Sequence, residues 1–237
     1  HNASKGLKKT VILQDGHLDL LNEQLKEKNN DLQNITYLTT HDLKASLRGI
    51  SSCYHFLTEE EATEEERLEY SRFLQGRIDR MDSQLDALLK YIRTTQRSNE
   101  ISILNTSQVI SEVASQQKYN QIHISISDNL TPISFDKMKF QAIVDELISN
   151  SLKFGKANSG EVCLNIHGKD RGAYKSIVFE DNGPGIHPDF REKAVKMFST
   201  YETRDKIENV GMGLALVNRI VKDSGGSINL GKSSFGG

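Results

Sequence analysis

The first third of the chain carries apolar residues at helical spacing in an otherwise polar sequence. From residue 18 onward these residues follow a seven-residue repeat. The repeat positions are Leu18, Leu21, Leu25, Leu32 and Ile35. Such a repeat aligns the side chains in a narrow stripe, which predicts a two-stranded coiled coil. A charged single helix is the alternative, but so narrow a stripe gives a lone helix little to pack against.

The apolar stripe then changes phase, which indicates a stutter in the coiled coil. It continues through Leu43, Leu47, Ile50, Tyr54 and Leu57. The first helix is expected to end near residue 58. Residues 63–66 form a T-x-x-E capping box, which predicts the start of a second amphipathic helix. Because one helical hairpin cannot cover both stripes, two hairpins are expected to pair as a homodimer in a four-helix bundle.

Beyond a polar stretch at residues 94–100, short alternating segments are interleaved with helical ones. Strands are predicted at residues 101–104, 122–126, 162–166, 176–181 and 227–230, and helices at 106–117, 135–156 and 211–224. This mixture predicts an α+β sandwich with helices on one face of a sheet. The sequence therefore predicts that the chain divides into three segments. These are a linker or the end of an upstream sensor domain (1–17), the coiled coil and helical hairpin (18–98), and the α/β sandwich domain (99–237).

Charge and cysteine content limit the classes of function. The 237 residues carry a formal net charge of −2, which argues against a nucleic acid or an anionic membrane surface as partner. No apolar run approaches the roughly 18 residues of a membrane span. Cys53 and Cys163 lie far apart in apolar stretches, so both are expected to be buried free thiols. A cytoplasmic location is expected, while membrane attachment of the parent protein stays open.

A histidine on the first long helix is the first candidate for chemistry. His41 lies two positions before Leu43, about 200° around the helix from the core stripe, and should face solvent. The carboxylate of Asp42 can hold one ring nitrogen as N–H, which leaves the other nitrogen as a nucleophile. Lys44 and Arg48 follow on the outer surface, where they can meet phosphate or an acidic partner. A surface histidine taken alone usually has no function, so these neighbours carry the interpretation.

Polar residues also lie on one face of the long helix expected at residues 135–156. Glu146, Asn150 and Lys153 stand at positions i, i+4 and i+7. A carboxylate and an amide in a largely apolar helix can hold a hydrated Mg²⁺ ion, and a lysine can reach a phosphate. The alternative is a solvated helix face.

Two glycine motifs follow in the sequence. Asp181 ends a predicted strand just before Gly183 and Gly185; its carboxylate can accept from the amino group of adenine, while the glycines let a base approach closely. Such a turn is common when it stands alone. Gly211 and Gly213 open the last predicted helix, where free N–H groups and the helix dipole form an anion site. This second motif is neither a Walker loop nor a Rossmann fingerprint.

The segment between the glycine motifs, residues 197–210, is polar and charged. Its length and composition are those of a mobile lid over a nucleotide. Arg204 and Lys206 are the candidate phosphate contacts in it, and a solvated loop is an equally good interpretation of both.

In this order and spacing the motifs resemble the catalytic core of sensor histidine kinases. The resemblance rests on residues 41–48, 145–154, 180–186, 197–198 and 211–216. The family joins a dimeric helical hairpin to an ATP-binding domain of the type shared with gyrase and Hsp90. The resemblance spans residues 18–237, nearly the whole chain.

The resemblance implies a role for each motif. It implies His41 as the phospho-acceptor with Asp42 as its general base, and Asn150 as a Mg²⁺ ligand assisted by Glu146. Nucleotide contacts are implied for Lys153 at phosphate, for Asp181 at adenine, and for Gly183, Gly185, Gly211, Gly213 and Leu214. The implied reaction is ATP-dependent autophosphorylation of the histidine, followed by transfer to an aspartate of a response regulator receiver domain.

Two positions depart from the family pattern, and three other functions stay open. Ser46 replaces the usual proline, which softens or removes a kink. Ala45 replaces the Thr or Asn of many relatives, which puts phosphatase activity in doubt. The alternatives are an ATPase in which Glu146 activates water, a nucleotide-binding scaffold, and a serine-directed kinase. The ATPase and the serine kinase would be insensitive to loss of His41.

Overall fold

The computed structural model describes residues 26, 40, 43–59, 63–96, 100–155, 161–170, 172, 174–197, 199 and 210–234. Four predicted site residues lie outside these ranges: His41, Asp42, Arg204 and Lys206. The five stripe residues of the predicted coiled coil, between Leu18 and Ile35, also lie outside the described ranges. The chain divides into two compact units, His1–Ile78 and Asp79–Gly237, and the predicted boundary near residue 98 stays a prediction.

Two helices form the N-terminal part of the described chain. Helix α1 covers residues 43–58 and helix α2 covers Glu64–Gln96. The predicted capping box at the start of α2 is confirmed, because the Thr63 N–H donates to Glu66 Oε2 over 2.9 Å and the Glu66 N–H donates to Thr63 Oγ1 over 3.3 Å. These bonds satisfy donors that the first turn of a helix leaves free.

On α1, three of the five predicted stripe residues, Leu43, Ile50 and Leu57, are half-buried. Leu47 and Tyr54 are 51% and 64% exposed, whereas Ser46 and Cys53 are buried. Each pair is seven residues apart, so the two seams are neighbours on the same helix. Periodicity therefore located the helix, while the buried seam depends on contacts that the pattern does not specify. Both cysteines are free thiols, and since Cys163 is only half-buried, the expected burial holds for Cys53 alone.

Five strands in two small sheets follow in the second unit. They are β1 (Ile101–Leu104), β2 (Ile122–Ile126), β3 (Ile133–Asp136), β4 (Val162–Asp170) and β5 (Lys175–Asp181). Strands β1 and β3 pair antiparallel. In the other sheet the order is β2-β4-β5, with β2 parallel to β4 and β4 antiparallel to β5.

Helices lie between these strands and after them in the sequence. They are α3 (Thr106–Ala114), α4 (Lys137–Phe154), α5 (Arg191–Ala194) and α6 (Gly213–Asp223), with 3₁₀ turns at Gln117–Tyr119 and Pro188–Phe190. The predicted α+β class is confirmed. None of the helices among the described residues is long and apolar enough to cross a membrane.

Three predicted elements need correction. The helix expected at residues 106–117 ends at Ala114 and is followed by a 3₁₀ turn. The helix expected from residue 135 starts at Lys137, because Phe135 and Asp136 belong to β3, a strand that the sequence analysis missed. The strand expected at residues 227–230 does not form; this segment is described, but it joins neither sheet, and a strand requires a hydrogen-bonded neighbour.

Asp136 fixes the start of α4 against β1. Its side chain is 2% exposed; Oδ1 accepts from the Lys139 N–H over 2.9 Å and Oδ2 from the Glu100 N–H over 2.8 Å. Burial opposes the charged form, but these donors outweigh it and hold the pKa of Asp136 below its usual value. One carboxylate therefore caps the helix and ties it to the chain entering β1.

The core lies between α3, α4 and the strands. On α4 the apolar side chains Phe140, Val144 and Ile148 stand one turn apart and are at most 3% exposed. Burying a side chain of this size contributes roughly 1.5–3 kcal/mol. This packing fixes the rotation of α4, and so determines which of its other residues face away from the core.

Candidate functional site

The C-terminal half of α4 meets the N-terminus of α6. Glu146 and Asn150 are half-buried and one turn apart on α4. A Cβ added to Gly213 would collide with Glu146 Oε2 and would lie 3.5 Å from Asn150 Nδ2. A residue larger than glycine would therefore push into both side chains. The two predicted motifs, distant in sequence, come together at this contact.

The first glycine motif meets the next residues of α4. Asp181, the last residue of β5, accepts from the Ser151 hydroxyl at Oδ2 over 3.2 Å and from the Gly183 N–H at Oδ1 over 3.0 Å. A carboxylate has about four lone-pair sites, so it keeps acceptor capacity for a further donor such as an exocyclic amino group. A Cβ at Gly183 would lie 3.0 Å from Asp181 Oδ1 and 3.4 Å from the Phe154 carbonyl oxygen. The loop thus needs a glycine where it passes α4.

Asn182 anchors this loop to the start of β4. Its Oδ1 accepts from the Cys163 N–H and its Nδ2 donates to the Glu161 carbonyl, both over 2.9 Å. The sequence analysis gave Asn182 no role. An Asn between an acid and a glycine is a common turn signal, but its partners lie about twenty residues earlier and cannot be inferred from the motif alone.

The remaining predicted residues occupy related positions. Gly185 and Gly211 have φ angles of 71° and 69°, a region that side chains with a Cβ rarely adopt. Lys153 is exposed near the end of α4, and Leu214 is half-buried in the first turn of α6.

A charged cluster surrounds the acidic pair of α4. Lys90 Nζ of α2 lies 2.6 Å from Glu146 Oε1 and 3.0 Å from Asp145 Oδ2. Asp145 is also ion-paired with Lys118, and it accepts from the Tyr119 hydroxyl over 2.7 Å. Burial opposes ionisation of Asp145, but the three donors outweigh it and lower its pKa to about 2. Burial and the same carboxylate raise the pKa of Tyr119.

The sequence analysis did not include Lys90 or Asp145 among the site residues. Asp145 stood inside the quoted motif beside Glu146, so its position was available as a signal. Lys90 is one of several charged residues on a long helix, and no local pattern distinguishes it. Only the tertiary packing of α2 on α4 reveals its contact.

The side chains present fit a Mg²⁺-nucleotide. Glu146 and Asn150 offer oxygen ligands, and the space that a Cβ at Gly213 would fill lies beside them. The described residues contain no group of three or more His, Cys, Asp or Glu that could hold a metal. Mg²⁺ is usually bound through one or two protein oxygens together with waters and substrate phosphates, so Glu146 and Asn150 are sufficient protein ligands for it.

Part of the chain matches a known protein family, and most of the chain is similar to known proteins. Residues 135–237 match the family described as histidine kinase-, DNA gyrase B- and HSP90-like ATPase. The phytochrome-like protein Cph1 of Synechocystis sp. is 24% identical over 94% of this chain and 30% of its own length. The methanogenesis regulatory histidine kinase FilI of Methanothrix harundinacea is 25% identical over 86% of this chain and 24% of its own. The chain thus spans less than a third of these relatives.

A solved structure shares the fold. It is the histidine kinase ThkA in complex with the response regulator protein TrrA, with a TM-score of 0.56, 18% identity, and coverage of 85% of this chain and 57% of that one. These comparisons support the predicted ATP-binding region: residues 135–237 match the domain type that histidine kinases share with DNA gyrase B and HSP90.

Proposed function

We propose that the chain binds Mg²⁺-ATP, phosphorylates itself on His41 and passes the phosphoryl group to an aspartate of a response regulator. The observation that carries this proposal is the packing of Gly213 on Glu146 and Asn150. It joins an anion-binding helix N-terminus to a pair of oxygen ligands, which is the combination that a metal-bound triphosphate requires.

Each part of the site has a task in this proposal. Asp181 accepts from the adenine amino group, and the free N–H groups at the start of α6 bind phosphate oxygens. Glu146 and Asn150 hold the metal ion, while Lys153, Arg204 and Lys206 contact phosphates. A bound Mg²⁺ would supply charge neutralisation on the phosphates.

The transfer step requires a nucleophile and a base. The free ring nitrogen of His41 attacks the γ-phosphorus as the bond to the ADP oxygen breaks, and Asp42 holds the other ring nitrogen and stabilises the positive charge on the ring. Catalysis of this kind rests on positioning and charge neutralisation. The histidine then donates the phosphoryl group to the regulator's aspartate.

A homodimer and two partners complete the proposal. Exposed apolar side chains run along both helices of the hairpin: Leu47, Tyr54, Phe56, Leu68, Phe73, Ile78, Leu85 and Leu89. A second copy of the hairpin would cover them in a four-helix bundle. The solved complex of ThkA with a response regulator protein supports a regulator as partner. An upstream sensor domain and a cytoplasmic location belong to the same proposal.

The site is tested by titrating the chain with AMP-PNP in a calorimeter, with Mg²⁺ and with EDTA. Asn150→Ala should lose about tenfold or more of the affinity measured with Mg²⁺, because an oxygen ligand of the metal is removed. Its affinity in EDTA should change much less. Asn120→Ala, at an exposed asparagine of the same unit, is the control. Equal affinities of Asn150→Ala and the unaltered chain with Mg²⁺ would exclude this site.

A further inference from the structure

The last third of α2 is held on α4 by one ammonium group. Lys90 Nζ bridges Glu146 Oε1 at 2.6 Å and Asp145 Oδ2 at 3.0 Å. The lysine side chain is 42% exposed, whereas the two carboxylates are 16% and 19% exposed. The acids are fixed by the packing of α4, so the lysine is the partner that can leave.

The residue that follows Lys90 on α2 is buried. Tyr91 is 4% exposed. Burial, together with the charge of Asp223 at the end of α6, raises the pKa of Tyr91 to about 12. Tyr91 is thus covered by neighbouring residues, and the charge of Asp223 acts on its hydroxyl.

The two acids differ in how they depend on Lys90. Asp145 has two further donors, Lys118 and the Tyr119 hydroxyl, so its charge stays compensated if Lys90 departs. Glu146 takes its ion pair from Lys90 through Oε1, while its Oε2 faces Gly213. A carboxylate left without a partner in a half-buried position is costly. Glu146 therefore needs a cation, and in this structure the cation is Lys90.

A metal ion at Glu146 would compete with that lysine. A divalent ion and an ammonium on the same carboxylate would repel each other strongly at the effective dielectric of a protein surface. We infer that Lys90 is a nucleotide-sensitive latch, which holds the end of α2 on Glu146 until a Mg²⁺-nucleotide displaces it. This inference rests on the proposed role of Glu146 at the metal and extends it to the control of α2.

If Lys90 is a latch, removing its charge should strengthen nucleotide binding, whereas removing the charge of a phosphate-binding lysine would weaken it. The substitution Lys90→Met keeps a long, unbranched side chain and removes the positive charge that competes with the metal ion. Binding of AMP-PNP with Mg²⁺ should become about three- to fivefold tighter, which corresponds to the worth of one partly exposed ion pair. Binding in EDTA should be unchanged. Lys118→Met is the matched control, because Lys118 pairs with Asp145 and not with Glu146.

Hydrogen exchange of the α2 backbone gives a second readout. In the unaltered chain, Mg²⁺ with AMP-PNP should accelerate exchange at residues 86–96, and AMP-PNP in EDTA should not. In Lys90→Met the exchange there should be fast before nucleotide is added, and in Lys118→Met the nucleotide response should persist. Local opening of this kind is what amide exchange reports.

The outcomes separate the latch from the function on which it rests. If the unaltered chain binds Mg²⁺-AMP-PNP but Lys90→Met alters neither affinity nor exchange, the latch is wrong and the proposed function stands. Weaker binding of Lys90→Met with Mg²⁺ and with EDTA would mean that Lys90 contacts the nucleotide, and would also overturn the latch. Absence of any nucleotide binding by the unaltered chain would overturn both.

Discussion

The backbone of Gly213, in the first turn of α6, lies against the carboxylate of Glu146 on α4. The two residues are far apart in the sequence, and each belongs to a motif that is weak when taken alone. Their contact converts a polar helix face and a glycine pair into one site with oxygen ligands beside an anion-binding helix start.

Gly213→Ala tests this contact directly. The added methyl group must displace Glu146 and Asn150, so the affinity for Mg²⁺-AMP-PNP should fall by about tenfold or more, equivalent to roughly 1.4 kcal/mol. Gly231→Ala is the control, because a Cβ at Gly231 meets nothing within 4 Å. Titration calorimetry measures both. Full affinity in Gly213→Ala would mean that the nucleotide binds elsewhere.

Asp181→Asn should reduce the affinity for adenine nucleotides. The amide replaces one acceptor oxygen by a donor, so either the Gly183 N–H or the ligand's amino group loses its acceptor, whereas the Ser151 hydroxyl keeps the Leu147 carbonyl. A hydrogen bond to a charged group contributes about 1.5–3 kcal/mol, which predicts a loss of about ten- to hundredfold. Asp189→Asn, at a side chain that is 91% exposed, should bind normally. An unaltered affinity in Asp181→Asn would remove this residue from the site.

Asp136 should contribute to stability through both of its oxygens. Asp136→Ala loses the helix cap and the bond from Glu100, and should lower the free energy of unfolding by about 2–4 kcal/mol. Asp136→Asn keeps one acceptor oxygen and should cost less. Urea unfolding followed by circular dichroism compares the two. Equal stabilities of Asp136→Ala and the unaltered chain would contradict the capping role.

The same residue predicts a dependence of stability on pH. Because the folded state holds the pKa of Asp136 below the unfolded value of about 3.9, its contribution is complete above that value and is lost as pH falls through the folded pKa. Asp136→Asn should therefore lose less stability than the unaltered chain between pH 5 and 3, a range set by that unfolded value. Parallel acid-unfolding curves would contradict this assignment.

Local patterns were sufficient for much of the fold and insufficient for its long-range contacts. The apolar stripe from Leu43 to Leu57 and the capping box at Thr63 predicted α1 and α2, and alternation predicted β1 and β2. Strand β3 was missed because it has only four residues and directly precedes α4, so the predicted helix included its last two residues. Its pairing of Asp136 with Ile101 depends on a neighbour about 35 residues away, which no local window contains.

For the candidate site, too, local patterns predicted some residues, whereas the long-range contacts were not predictable. The i, i+4 spacing of Glu146 and Asn150 was enough to place both on one face of a helix, and Asp181 was predicted from its position at a strand end. The ion pair of Glu146 with Lys90 was not predictable, because it depends on how α2 packs on α4. The choice of Ser46 over Leu47 as the buried seam position of α1 also depends on tertiary contacts.

The most direct test of the proposed kinase is the chemistry of the phosphorylated residue. The chain is incubated with Mg²⁺ and γ-labelled ATP beside His41→Gln, and beside His55→Gln as a control at an exposed histidine of α1. The account predicts a label that is labile in acid, stable in alkali, absent from His41→Gln and present in His55→Gln. An acid-stable label, or phosphate release that survives in His41→Gln, would contradict it and favour a serine kinase or an ATPase; nucleotide binding without any label would favour a scaffold.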